Sequence, residues 1–402
     1  YLRAELTTRR GDWGTNRPHC RARSITSSCR RRTINDRWSR QRHVEVLQLT
    51  VERLTDVPSA AGARTMRVVV FDPAPFPAHR PRRLRSTPAM RDLVAETRVD
   101  VQDLVAPLFV RESVANPIPI SSLPGVVQHT VDSLRREVNE LAELGVRSVM
   151  LFGIPEHKDA TGSSSCATNG IAQVALEQLR ADVGDDVVLI SDLCVDEYTD
   201  HGHCGIIDEH GNVDNDATLE LYAAAAVAQA DAGAHMVAPS GMMDGQVAAI
   251  RSALDDAGHS NIPIMTYASK YASGLYGPFR EAVDVTIAGG GDRKGYQQDW
   301  RNGREALVEV AGDVAQGADI IMVKPAVTYL DVIAEVRAAI DLPVAAYHVS
   351  GEYAMIMAAA ANGWIDGDVV ALEQLTAIKR AGAGIILTYL TRWFAEGAQG
   401  IS

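Results

Sequence analysis

From residue 104 onward, short and almost continuously apolar runs alternate with longer stretches of helical period. Eight such runs occur: 104–110 (LVAPLFV), 148–154 (SVMLFGI), 187–194 (VVLISDLC), 236–240 (MVAPS), 263–268 (PIMTYA), 319–325 (DIIMVKP), 343–349 (PVAAYHV) and 384–390 (GIILTYL). Runs without polar alternation are the mark of strands covered on both faces, and helices between them imply parallel pairing. Segments such as Val131 to Leu144 and Asp216 to Ala232 supply the helices. Eight strand–helix units in roughly 300 residues predict a (β/α)8 barrel, of α/β class. An open doubly wound sheet is the rival. Against it, no GxGxxG follows the first strand, and the glycine run at Ala288 to Gly291 is not placed in a strand-to-helix turn.

The preceding sequence is a different material. Residues 1–65 carry 14 Arg and six acids, a net of 14 − 6 = +8, whereas the whole 402-residue chain is at −12. Such a segment, with little apolar period beyond a short helix over Val44 to Leu54, is expected to be a disordered Arg-rich extension. It reads either as upstream sequence ahead of a start at Met66 or as a basic tail. Residues 66–100, rich in Arg and Pro from Arg80 to Arg91, are expected to form an extended arm, and 101–402 the barrel. The acidic overall balance argues against a general nucleic-acid binder. No apolar run reaches the roughly 20 residues of a membrane helix, and no secretory pattern opens the chain, so a cytoplasmic location is expected. Five cysteines, at 20, 29, 166, 194 and 204, are too few and irregular for a disulfide framework and read as reduced thiols.

Chemistry in a barrel of this kind gathers at the carboxyl ends of the strands. There the sequence places Asp192, Cys194, Ser240, Lys270, Lys324, Ser350 and Tyr389. Only five of the 39 basic residues are Lys (158, 270, 294, 324 and 379), so Arg serves as the generic cation and a Lys inside a strand needs a reason. Lys324, in IIMVKPA, sits among apolar neighbours that favour the neutral, nucleophilic amine. Lys270, one strand away, would lower its pKa further. Two uncharged amines side by side at the barrel rim suggest Schiff-base chemistry; a structural Lys–carboxylate pair is the plainer alternative. The loop SDLCVDEYTDHGHCG, residues 191–205, concentrates thiols, imidazoles and carboxylates that suit Zn²⁺, although nine residues separate Cys194 from Cys204, unlike a structural zinc knuckle. An acidic loop with incidental thiols is the other reading. Arg280, Arg293, Lys294 and Gln297 lie in glycine-containing segments suited to an anionic substrate and a mobile lid, or to an ordinary solvated loop.

Together these residues resemble one family, porphobilinogen synthase, also called 5-aminolevulinic acid dehydratase. The resemblance covers about residues 80–402 through RPRRLR, LFGIP, DLCVDEYTDHGHCG, APSGMMDGQ, YASKYASGLYGPFR, DRKGYQ, MVKPA, YHVSGEYAM and ILTYLT. It implies condensation of two 5-aminolevulinate molecules to porphobilinogen, with loss of two waters, in tetrapyrrole and haem biosynthesis. By the same resemblance Lys324 and Lys270 form the imines and Asp192 assists proton transfer. Ser350 and Tyr389 are implied to hold the first substrate's carboxylate, and Arg280 and Arg293, with Gln297 on the lid, the second's. The implied metal ligands are Cys194 and Cys204 for Zn²⁺, with Asp196 where zinc-dependent members carry a further cysteine, and Glu309 for an allosteric Mg²⁺. A homo-octamer with an arm wrapping the neighbouring barrel is implied as well. The rival functions are a class I aldolase-like lyase, for which one lysine suffices, and a non-catalytic metal-binding protein on the same fold.

Overall fold

The computed structural model describes residues 3–5, 46–52, 66–69, 76–288 and 291–397. It divides after Val94 into two units. In the first, β1 (Arg3–Glu5), β2 (Val46–Glu52) and β3 (Met66–Val69) form an antiparallel sheet in that order. The helix expected over Val44 to Leu54 is instead β2, where Leu47, Leu49 and Val51 alternate with Gln48, Thr50 and Glu52, a period of two. Most of the expected disordered extension lies outside the described residues. The expected extended arm contains a 3₁₀ turn, Pro81–Arg85, and a short helix α1, Pro88–Leu93, neither with a buried residue. Prolines in their first turns, and the Thr87 hydroxyl accepting from the Met90 amide, favour helical starts over extension.

In the second unit the eight apolar runs become β4 (Leu104–Arg111), β7 (Ser148–Ile154), β8 (Val188–Leu193), β9 (Met236–Pro239), β10 (Met265–Lys270), β11 (Ile320–Lys324), β12 (Val344–His348) and β13 (Ile385–Thr388). A small hairpin, β5 (Ile118–Pro119) and β6 (Val127–His129), joins the edge of β4. The parallel order runs β10-β11-β12-β13-β4-β7-β8-β9, and a parallel bridge from Val237 to Ile264 closes the cylinder. The helices are α2 (Val131–Glu143), α3 (Ile171–Val183), α4 (Asn215–Asp231), α5 (Gln246–Asp256), α6 (Gly277–Ala282), α7 (Gly303–Gln316), α8 (Leu330–Ala339), α9 (Ser350–Ala361), α10 (Gly367–Ala381) and α11 (Thr391–Ala395). Thr130, Asp214 and Asp366 cap α2, α4 and α10 by accepting first-turn amides.

Continuous apolarity has the expected cause. Along β4, Val105 and Phe109 join one core cluster while Ala106, Leu108 and Val110 join another with Leu134, Val138 and Leu141 of α2 and Leu176 and Leu179 of α3. Both faces of the strand are covered, so neither tolerates polar alternation. The (β/α)8 barrel predicted from the pattern is the fold observed.

Candidate active site

Lys270 ends β10, Lys324 ends β11, and the two are register partners across parallel strands. Their alignment depends on an irregularity in β10. Met265 and Thr266 pair with Ile320 and Ile321, but Ser269 pairs with Val323, so one extra residue is taken up between Thr266 and Ser269. Without that bulge Lys270 would fall opposite Pro325 and Lys324 opposite Ser269, whose side chains alternate in facing. Sequence reading ended this strand at residue 268; the lysine is its last member.

The two amines have different surroundings. Lys324 is 6% exposed, and its Nζ lies 4.5 Å from the Tyr347 ring centroid, 5.1 Å from those of Tyr267 and Tyr276, and 5.2 Å from that of Phe279. Burial, followed by repulsion from Lys270, brings its pKa down to about 7. Lys270 is 4% exposed and donates to the Ser240 carbonyl at 2.5 Å. Burial favours its neutral form too, but the negative charge available on Cys204, Cys194 and Asp196 outweighs this and raises its pKa. The expectation of two uncharged amines is therefore corrected: Lys324 is poised near neutrality, and Lys270 is held as the ammonium. Asp192, on β8, lines the same cavity; burial pushes its carboxyl up to about 6 against the pull of Lys324 and Lys270. The Ser240 hydroxyl donates to it at 3.4 Å.

The loop after β8 brings together Cys194, Asp196 and Cys204, all buried, with ligand atoms within 4.8 Å of one another. The Tyr222 hydroxyl touches both ends of the loop, at 3.0 Å from the Cys204 carbonyl and 3.5 Å from Cys194 Sγ. Burial raises the Cys204 thiol, but the hydrogen bond from Cys194 and the charge of Arg293 bring it to about 7. Two sulfurs and one carboxylate oxygen at this spacing are a donor set that fits a borderline-soft divalent ion. The two histidines of the loop go elsewhere: His201 contacts the Ala160 carbonyl, and His203 the Tyr296 hydroxyl at 3.2 Å.

Arg293 is buried and pairs with Asp196 at 2.6 Å while donating to the Gly202 carbonyl at 2.8 Å. The ion pair holds Asp196 below the usual carboxylate range even though burial acts the other way. Arg293 Nε and Gln297 Nε2 are buried without a hydrogen-bond partner. Arg280, half-buried on α6, faces the lysine cavity along with Arg293. Outside it, Arg280, Arg293, Lys294 and Gln297 line a wider vestibule of about 680 Å³ with Trp300 and Tyr329.

Ser350 and Tyr389 stand behind the aromatic wall of Lys324. The Ser350 hydroxyl accepts from the Phe279 amide at 3.0 Å, and the Tyr389 hydroxyl lies 3.1 Å from that of Tyr347. Glu309, on α7, lies apart from the lysines in a polar cavity of about 510 Å³ with Asn215, Asp244 and Glu305; burial and then Asp244 raise its pKa. Sequence reasoning missed the four rings around Lys324 and the separate standing of Glu197, which also lines the lysine cavity. Tyr347 was within reach: the pairing of Val323 with Ala346 makes it the next position alongside Lys324.

A closed barrel with two buried lysines in one cavity at the ends of its strands defines the class of imine-forming (β/α)8 enzymes. The family model for delta-aminolevulinic acid dehydratase matches residues 78–397. The Streptomyces coelicolor delta-aminolevulinic acid dehydratase is 58% identical over 326 residues, spanning 81% of this chain and 97% of that protein. Its Mycobacterium tuberculosis counterpart is 55% identical over 325 residues, 80% of this chain and 97% of that one. The crystal structure of the Toxoplasma gondii enzyme with its reaction product porphobilinogen matches with a TM-score of 0.78 and 41% identity, over 81% of this chain and 94% of that one. The chain belongs to the delta-aminolevulinic acid dehydratase family.

Proposed function

We propose that this protein condenses two molecules of 5-aminolevulinate to porphobilinogen, releasing two waters, as a step of tetrapyrrole synthesis. The observation that carries this reading is the direct pairing of Lys270 with Lys324 within one buried cavity. Lys324, near neutrality, attacks the first keto carbon, and water leaves as the imine forms. Lys270 captures the second substrate after giving up its proton, for which Asp192, titrating near pH 6, is the nearby carrier. Each keto carbon is finally joined to the other molecule, one through carbon and one through nitrogen, so two oxygens depart as water and both lysines are returned.

Ser350 and Tyr389 hold the carboxylate of the Lys324-bound substrate, beyond the wall formed by Phe279 and Tyr347. Arg280, Arg293 and Gln297 receive that of the second; the unpartnered Arg293 Nε and Gln297 Nε2 are donors suited to it. Cys194, Asp196 and Cys204 hold Zn²⁺, which when bound supplies a Lewis acid to a substrate carbonyl. Glu309 serves an allosteric Mg²⁺. We place the protein in the cytoplasm, where none of its described helices is long and apolar enough to cross a membrane. It works as a homo-octamer, in which the unburied Pro81–Arg85 and α1 segments embrace a neighbouring copy. The direct test is incubation with 5-aminolevulinate and Zn²⁺ or Mg²⁺, reading the pyrrole by its reaction with p-dimethylaminobenzaldehyde. Pyrrole release supports the reading, and none with either ion contradicts it.

A further inference from the structure

The first turn of α9 carries more than Ser350. Glu352 is 1% exposed, and none of the roles assigned above uses it. Its carboxylate is ringed by backbone donors. Oε2 accepts from the Val349 amide at 2.7 Å and the Ala326 amide at 3.4 Å, Oε1 accepts from the Val327 amide at 2.6 Å, and the Thr328 amide bonds the same group. Each of these partners is a donor, so the site suits the ionised carboxylate, even though burial raises its pKa to about 7.

Those amides belong to two different loops. Ala326, Val327 and Thr328 come directly after the end of β11, and Pro325, between them and Lys324, has no N–H to give. Val349 leads into α9, whose first residue is Ser350. Capping a helix start needs only the bond to Val349, in which an acid of the first turn reaches back to the amide before the helix. The bonds to 326–328 do something else: they tie the start of α9 to the loop behind Lys324. The same helix start is also seated against the loop after β10, since the Ser350 hydroxyl accepts from the Phe279 amide at 3.0 Å and a Cβ on Gly351 would meet the Leu275 carbonyl oxygen. Glu352 thus fixes, through backbone, the span from the end of β11 to the Ser350 hydroxyl. A keto acid caught at both ends must match that span.

We propose that Glu352 is a positioning residue that holds the carboxylate-binding start of α9 at a set distance from Lys324 and so selects keto acids by the spacing of ketone and carboxylate. The role rests on the function proposed above and adds to it the device that measures substrate length. A purely structural Glu352 would affect keto acids of every length alike.

The test compares 4-oxopentanoate with 5-oxohexanoate, which has one more methylene between ketone and carboxylate, at about pH 8, above the value of about 7 near which Glu352 titrates. Borohydride reduction traps each acid at Lys324, and peptide mass spectrometry gives the concentration for half-maximal labelling. The wild-type protein is expected to prefer the shorter acid. Glu352→Gln keeps the side chain's shape but turns an amide donor toward the ring of N–H groups. It is expected to raise the concentration needed of 4-oxopentanoate by about 10-fold or more, within the roughly 100-fold that a misplacement of about 1 Å can cost. For 5-oxohexanoate the change should stay within about twofold, less than a lost hydrogen bond to a charged group would cause. Glu352→Asp keeps the charge with a shorter reach; it should lower the preference in the same direction by about threefold or more, and it carries the comparison if the Gln variant does not fold. Equal shifts for the two acids, no shift for either, no wild-type preference, or failure of both variants to fold would overturn the positioning role and leave Glu352 a stabilising contact. No adduct at Lys324 in the wild-type protein would instead remove the imine chemistry of the function proposed above.

Discussion

For single residues, the chemistry turns on the contrast between two lysines: an aromatic enclosure for Lys324 and an anionic neighbourhood for Lys270. Because burial and Lys270 hold Lys324 near a pKa of about 7, its neutral fraction grows as pH rises through that value. Initial rates of reductive trapping at Lys324 should therefore climb from pH 5.5 and level off by about pH 8, whereas an ordinary lysine titrates near 10.4. A rate still rising steeply above pH 9 would contradict the assignment. Lys324→Ala should lower pyrrole formation by at least about 10³-fold, the scale on which loss of a covalent nucleophile is felt. Its melting temperature should not fall, since the substitution removes a buried amine from an aromatic enclosure. At the metal loop, Asp196→Cys should tighten Zn²⁺ retention against a chromophoric chelator, because a third thiolate is a softer and stronger donor. In the wild-type protein retention should weaken as pH falls below about 7, where Cys204 regains its proton. Equal zinc retention by the two proteins would argue that Asp196 is not a ligand.

At the scale of elements, the site depends on how strand ends and loops are registered. The sequence placed Lys324 within one strand and Lys270 just past the end of the strand before it, but did not show that Lys270 ends that strand or that a bulge after Thr266 sets the two level. A one-residue irregularity leaves no trace in an apolar run such as PIMTYA. Nor could spacing select Cys194, Asp196 and Cys204 from a loop that also contains His201 and His203, since the choice is made by contacts to Ala160 and Tyr296 from other loops. The tight approach of α9 to the turn after β10 was equally hidden. A Cβ on Gly351 would stand 2.5 Å from the Leu275 carbonyl oxygen and 2.7 Å from its Cα. Gly351→Ala should destabilise the fold by about 1–3 kcal/mol, as overpacking against backbone does. It should also raise KM, because Ser350 and Phe279 meet at that junction. An unchanged melting temperature and KM would show that the two loops can separate freely.

At the scale of the whole molecule, the barrel was legible because parallel strands buried on both faces leave uninterrupted apolar runs, and all eight runs became staves of the cylinder. The arm was less so. Its Arg and Pro content suggested extension, while proline at a helix start and a Thr87 cap produce short helical turns with Leu84 and Leu93 exposed. If those side chains cover a second copy, deleting residues 76–94 should shift the sedimentation coefficient from that of a large homo-oligomer to that of a smaller species; an unchanged coefficient would detach the arm from assembly. Whether both lysines form imines is read by mass-spectrometric mapping of borohydride-reduced adducts after brief exposure to 5-aminolevulinate. Modified peptides containing Lys324 and, separately, Lys270 are expected. Modification at Lys324 with Lys270 untouched under every substrate concentration would contradict a two-imine condensation and leave a single-lysine enzyme.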